Sequence, residues 1–108
     1  MKRPCVYILA NRRNGTLYVG ITTDLPKRMA QHEQSLISGF TASYGVRQLV
    51  YYEHHESIPE AIRREKLLKR WNRKWKLRLI ESMNPSWTNF FDPTTGEISF
   101  GPFDHVRK

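Results

Sequence analysis

Apolar residues in this chain fall into short blocks, and the spacing within each block predicts the element it forms. Residues 5–10, Cys-Val-Tyr-Ile-Leu-Ala, are an unbroken apolar run rich in strand formers, and residues 16–22, Thr-Leu-Tyr-Val-Gly-Ile-Thr, are a second. Asn14-Gly15 between them is a strong turn signal, because both residues tolerate positive φ. The two runs therefore predict an antiparallel hairpin. The period then lengthens. Asp24 offers an N-cap, Pro26 suits a first helical turn, and Leu25, Met29, His32 and Leu36 recur on one helical face that Gly39 ends. Residues 46–54, centred on Leu49-Val50-Tyr51-Tyr52, predict a third strand.

Ser57 and Glu60 have capping-box spacing, with Pro59 between them, and predict the start of a long helix on which Ala61, Glu65 and Leu68 share a face. Asn72 marks a break. Residues 73–83 predict a second helix with Trp75, Leu79 and Met83 on one stripe, stopped by Pro85. Beyond Asn84 the chain is turn-rich and aromatic, with Trp87, Phe90 and Phe91 before Asp92-Pro93-Thr94-Thr95-Gly96 and then residues 98–103, and predicts a packed tail with one short strand. The order strand, strand, helix, strand, helix, helix predicts an α/β domain: a three-stranded, mainly antiparallel sheet flanked by helices. Its expected extent is 1–87, with 88–108 an aromatic tail packed on the same domain.

Composition narrows the function. A chain of 108 residues suits one domain. The single cysteine, Cys5, excludes an internal disulfide and a multi-cysteine zinc site, and its place heading an apolar strand reads as a small buried residue. No apolar run approaches a bilayer span and no signal segment stands behind Lys2 and Arg3, so a cytoplasmic protein without a membrane partner is expected. Gly-rich phosphate loops are absent, so no small-molecule cofactor is expected. Net charge is +8, which points to polyanions, nucleic acid first. Nine of the eighteen basic residues fall within 63–78, where Glu65 alone opposes them. That cluster is either a solvated helical face or a phosphate-tracking surface, for which Arg70, Arg73, Lys74 and Arg78 are the candidates. Trp71 and Trp75 read first as packing between helices, with base stacking as the alternative. Phe90, Phe91, Phe100 and Phe103 read as packing. His54-His55 resembles a metal pair, but strand neighbours point to opposite faces, so a polar strand end is the better reading.

Polar residues at inward positions carry the candidate chemistry. Tyr7 and Tyr18 lie mid-strand, Arg28 and His32 are four apart on one helix face, and Glu65 interrupts an apolar stripe. Singly, each has a plain reading: strand aromatics, a core histidine, a solvated arginine, and a glutamate paired with Arg64 or Lys69. Together they suit phosphodiester hydrolysis. That reaction needs a proton acceptor for water, cationic groups at the non-bridging oxygens, and a metal ion that a single carboxylate can hold.

Val6-Tyr7-Ile8 followed by Tyr18-Val19-Gly20 resembles the paired signature of the GIY-YIG nuclease superfamily, with Cys5-Val6-Tyr7 in place of Gly-Ile-Tyr. Arg28, His32 and Glu65 follow in the family's order. The stretch 60–71 and the closing Asn84-Pro85-Ser86-Trp87 look like its small stand-alone bacterial branch. Related domains occur in the incision subunit of bacterial nucleotide excision repair, in homing endonucleases and in some restriction enzymes. The resemblance implies a DNA endonuclease using Mg2+ or Mn2+, with DNA repair as one context and RNA as an alternative substrate. It further implies that Tyr18 or Tyr7 activates water, Arg28 binds the scissile phosphate and His32 assists proton transfer. Glu65 would hold the metal, and Gly20 would let backbone come close to the site. The rival expectation is a nucleic-acid-binding module with little or no nuclease activity, and a third is a protein-interaction domain on the same fold. Oligomeric state is left open.

Overall fold

The computed structural model describes residues 3–34 and 43–99. Three strands form the main sheet: β1 (Cys5–Ala10), β2 (Leu17–Thr22) and β3 (Gln48–His54). The order is β2-β1-β3 with both pairings antiparallel. All six residues of β1 are fully buried, as a central strand covered on both faces requires. The hairpin turns where Asn14 takes a left-handed φ of 57°. Asn11 closes it, its Oδ1 accepting from the Thr16 N–H at 2.9 Å.

Three helices follow from their caps. Asp24 accepts from the Lys27 N–H and starts α1 (Leu25–Glu33), which buries Leu25, Met29 and His32. Leu36 and Gly39 lie outside the described residues. Ser57 Oγ accepts from the Glu60 N–H and starts α2 (Ile58–Arg70). Asn72 Oδ1 accepts from the Trp75 N–H at 2.9 Å, so the break between the helices is also the cap of α3 (Arg73–Met83). Caps of this kind each contribute about 1 kcal/mol. Helix α2 packs on β2 and β1, and α3 packs on β3.

The stretch after α3 runs along the outer edge of β3. The β1–β3 register shifts between Ile8 and Leu9, which pair with Tyr51 and Leu49 and leave Val50 in a bulge. Buried Asn84 donates from Nδ2 to the Val50 carbonyl (3.1 Å) and to the Thr88 carbonyl (2.8 Å). Asn89 Oδ1 accepts from the Leu49 N–H, and the Leu49 carbonyl accepts from the Phe90 N–H. Trp87, Phe90 and Phe91 are buried here. One short strand was expected in the tail. Instead, β4 (Phe91–Asp92) and β5 (Glu97–Ile98) form a small hairpin, because Gly96 takes a φ of 76° and lets the Asp92-to-Gly96 turn close. Phe100 and Phe103 lie outside the described residues.

Candidate active site

The register of the first hairpin decides which side chains meet. Tyr7 pairs with Gly20 and Leu9 with Tyr18, and directly paired residues share a face, so both phenols project from the same side of the sheet. Helix α1 covers that side. The ring centroids of Tyr7 and Tyr18 are 6.3 Å apart, those of Tyr7 and His32 5.8 Å, and those of Tyr18 and His32 5.6 Å. The close approach expected at Gly20 is made by the Tyr7 ring: a Cβ there would stand 2.5 Å from Tyr7 Oη.

Burial separates the two phenols. Tyr7 is wholly enclosed, whereas Tyr18 is partly exposed. Tyr7 Oη shares a 3.0 Å hydrogen bond with His32 Nε2. Burial raises the Tyr7 pKa above the ordinary tyrosine value, Tyr18 adds to the rise, and the Arg28 guanidinium beside the phenol opposes it; Tyr7 therefore keeps its proton at neutral pH. Burial, and then the charge of Arg28, lower His32 to about 4, so the imidazole is neutral at pH 7. Its Nδ1 is enclosed and has no hydrogen-bond partner among the described residues. Arg28, one turn before His32 and partly buried, pairs with no carboxylate among the described residues. The result is a positive charge, two phenols and an imidazole on one side of the sheet, with no carboxylate paired to that charge among the described residues.

Glu65 stands on a different element, α2. Across β1–β3, Val6 pairs with Glu53 and Ile8 with Tyr51, so Tyr51 and Glu53 project from the face opposite Tyr7. Arg64 Nε donates to Glu53 Oε2 at 2.9 Å, which ties α2 to that opposite face. Helical geometry sets Arg64 and Glu65 on either flank of the buried Ala61–Leu68 line. Arg64 takes the β3 flank, which leaves Glu65 on the flank toward the outer strand β2. The Glu65 side chain is only 13% exposed, and Lys69 Nζ lies 2.5 Å from its Oε2.

No three His, Cys, Asp or Glu side chains among the described residues gather tightly enough to enclose a metal ion. A single carboxylate is still a sufficient protein anchor for Mg2+, which keeps most of its waters and takes further oxygens from a phosphate. Glu65 fits that role by its chemistry, since the ammonium of exposed Lys69 already sits where a cation is attracted and can swing away.

Other expected residues fare differently. Arg70, Lys74 and Arg78 are exposed on α2 and α3. Arg73 is committed within the fold, donating to the carbonyls of Asn14 and Gly15 at 2.6 Å each, which clamps the start of α3 to the first hairpin. Trp75 meets Trp71 at the junction of α2 and α3, as packing between helices requires, yet it is 51% exposed, because the chain breaks at Asn72 and little else covers the first turn of α3. His54 and His55 diverge as alternation requires: His54 lies against the Tyr52 ring, and His55 Nε2 donates to Glu53 Oε2 at 2.6 Å. Cys5 is buried, and burial pushes its thiol up to about 12. The Tyr51–Glu53–His55–Arg64 network went unnoticed in the sequence. Its one signal was the alternate spacing of Tyr51, Glu53 and His55 along a strand.

Known proteins bear on the same residues. The GIY-YIG catalytic domain family matches residues 3–78. The UPF0213 protein CPE1444 of Clostridium perfringens is 36% identical over 85 residues, covering 79% of this chain and 90% of that protein. The UPF0213 protein SH2523 of Staphylococcus haemolyticus is 37% identical over 81 residues, covering 75% and 98%. The solution NMR structure of the UPF0213 protein BH0048 from Bacillus halodurans aligns with a TM-score of 0.51 and 30% identity, over 81% of this chain and 92% of that one. The match spans both tyrosine strands, α1 and α2, and the chain belongs to the GIY-YIG catalytic domain family, a nuclease-type family, alongside its small UPF0213 relatives.

Proposed function

We propose that this chain is a metal-dependent endonuclease that hydrolyses DNA phosphodiester bonds, directed by DNA structure rather than sequence. The observation that carries the reading is the Tyr7–Tyr18–His32 cluster beside Arg28, whose charge no carboxylate offsets among the described residues. Arg28 binds the non-bridging oxygens of the scissile phosphate, where negative charge grows in the transition state. Tyr18, the phenol that solvent reaches, orients the attacking water, and its phenolate form, having released its own proton to solvent, takes the proton of that water. Tyr7 keeps its own proton and, with His32, forms the floor that fixes the Tyr18 ring. Glu65 holds Mg2+ or Mn2+, which when bound stabilises charge on the phosphate and leaving oxygens. Exposed Arg70, Lys74 and Arg78 supply contacts to flanking phosphates.

The second reading, a nucleic-acid-binding module, is favoured by one observation: Glu65 is engaged by Lys69 on a helix tied to the other face of the sheet. Branched, nicked, single-stranded and duplex DNA offered with Mg2+, Mn2+ or chelator separates the two. The nuclease cuts at least one form only with metal, and Glu65→Ala binds DNA equally well but does not cut. If the wild type binds DNA and cuts none of these forms, the binding module replaces the nuclease. A protein-interaction domain shows no salt-sensitive DNA binding at all.

A further inference from the structure

The elbow between α2 and α3 holds a hollow of about 340 Å³ lined by Trp71, Trp75, Arg78, Leu79 and Ser82. The indoles of Trp71 and Trp75 meet edge to face, centroids 5.7 Å apart and planes at 89°. One side of Trp71 is taken by the Arg64 guanidinium, 5.3 Å from the ring centroid. Trp75, half exposed, is open to a flat partner. The charges around the exposed indole point to what covers it: Arg78 lines the hollow, and Arg70 and Lys74, each next to one of the two tryptophans in the chain, are exposed. Aromatic faces set among cations suit a base stacked on an indole with its phosphate on a basic side chain. An acidic peptide would answer the charges and leave the indoles uncovered.

We propose that this hollow receives an unpaired nucleobase, with Trp75 as the stacking platform and Arg78 holding the adjoining phosphate. The proposal rests on the nuclease reading and sharpens it: the substrate is DNA with a single-stranded segment. Trp71 lies six residues beyond Glu65, a rise of roughly 9 Å along α2 and on its other flank. The exposed face of α2 between those flanks carries Arg63, Lys66 and Arg70, so a strand passing from Glu65 to the hollow crosses cations throughout.

Equilibrium binding measured in chelator, where nothing is cut, tests it. The probes are a labelled oligothymidylate, an abasic oligodeoxyribose phosphate of equal length and a blunt duplex. Wild type is expected to prefer the oligothymidylate to the abasic strand roughly tenfold. Trp75→Ala should erase that preference while leaving abasic binding and the urea midpoint nearly unchanged, and Trp75→Phe should restore most of it. Equal binding of both strands by wild type, or an unchanged preference in Trp75→Ala, overturns the proposal. So does a change in Trp75→Ala confined to sedimentation, which marks the hollow as a contact between copies of the chain. The two readings fail separately: Trp75-dependent base preference without metal-dependent cutting sinks only the nuclease, and cutting with no Trp75 effect sinks only the stacking site.

Discussion

The two faces of the central sheet carry polar clusters built from nearly the same side chains. On the α2 face, Tyr51 donates to Glu53 Oε1 at 2.5 Å, while His55 and Arg64 converge on Oε2. On the α1 face stand Tyr7, Tyr18, His32 and Arg28. The decisive difference is the carboxylate. Burial alone would raise the Glu53 pKa, but the hydrogen bonds from Tyr51, Arg64 and His55 outweigh it and hold the carboxyl below its ordinary value. Every charge there has an answer within the protein. On the other face the arginine has none among the described residues, and His32 Nδ1 is left over. A satisfied cluster holds a fold together, whereas a cluster with uncompensated positive charge attracts an anion from outside.

Replacing the two arginines is the strongest way to break this comparison. Arg28→Ala should lower the rate of DNA cleavage by roughly 10²–10³-fold, the scale of losing one transition-state donor, with the urea midpoint nearly unchanged. Arg64→Ala should do the reverse, costing about 2 kcal/mol because Glu53 loses a partner, while the folded fraction cuts at the normal rate. Equal stability losses in both variants would erase the distinction between the faces.

Acid titration sharpens it. His32 is neutral down to about 4 in the fold, against an ordinary 6.5 when unfolded, so only the unfolded chain takes up this proton between those values. The stability it contributes is present above pH 6.5 and is lost as pH falls toward 4, amounting to as much as about 3 kcal/mol. Urea midpoints of wild type should fall through that window, and those of His32→Gln should fall less. Glu53, with its lowered value, also contributes stability that acid removes, but below about 4.5. A wild-type slope confined to that lower range would mean that His32 is not held neutral.

Smaller effects test the fit of the phenols and the carboxylate. Gly20→Ala pushes a methyl against the Tyr7 ring and should cost about 1–3 kcal/mol in thermal or urea unfolding. Lys69→Gln should change stability by less than about 0.5 kcal/mol, since the lysine end of its ion pair is exposed. It should also lower the Mg2+ concentration needed for half-maximal cleavage a few-fold, and an unchanged requirement would separate Glu65 from the metal.

Much of this molecule was legible in the sequence because local chemistry determined it. The caps at Asp24 and Ser57 predicted two helix starts and the break at Asn72 a third, and short runs of strand formers predicted three strands. Facing was harder. That Tyr7 and Tyr18 share a side needs the hairpin register, while the location of Glu65 depends on which face α2 covers, a fact held in the long-range contact between Arg64 and Glu53. Arg73 looked like any surface cation, since nothing local to it reveals that the Asn14 and Gly15 carbonyls lie within reach. Trp75 fitted an apolar stripe whose later members, Leu79 and Met83, do pack inward, but at the first turn of α3 it stays half exposed. Asn84 read as part of a family resemblance, and its work as a buried hydrogen-bond hub for the β3 bulge required the bulge to be known.

The edging of β3 by Asn84, Asn89 and Phe90 has a practical consequence for anyone shortening this protein. A version trimmed at residue 78, where the family match stops, discards every one of those contacts and bares the Leu49 and Val50 peptide groups. Such a fragment keeps all the candidate chemistry and gains an adhesive seam along which copies can stack, so its failure in solution would say nothing about its catalysis.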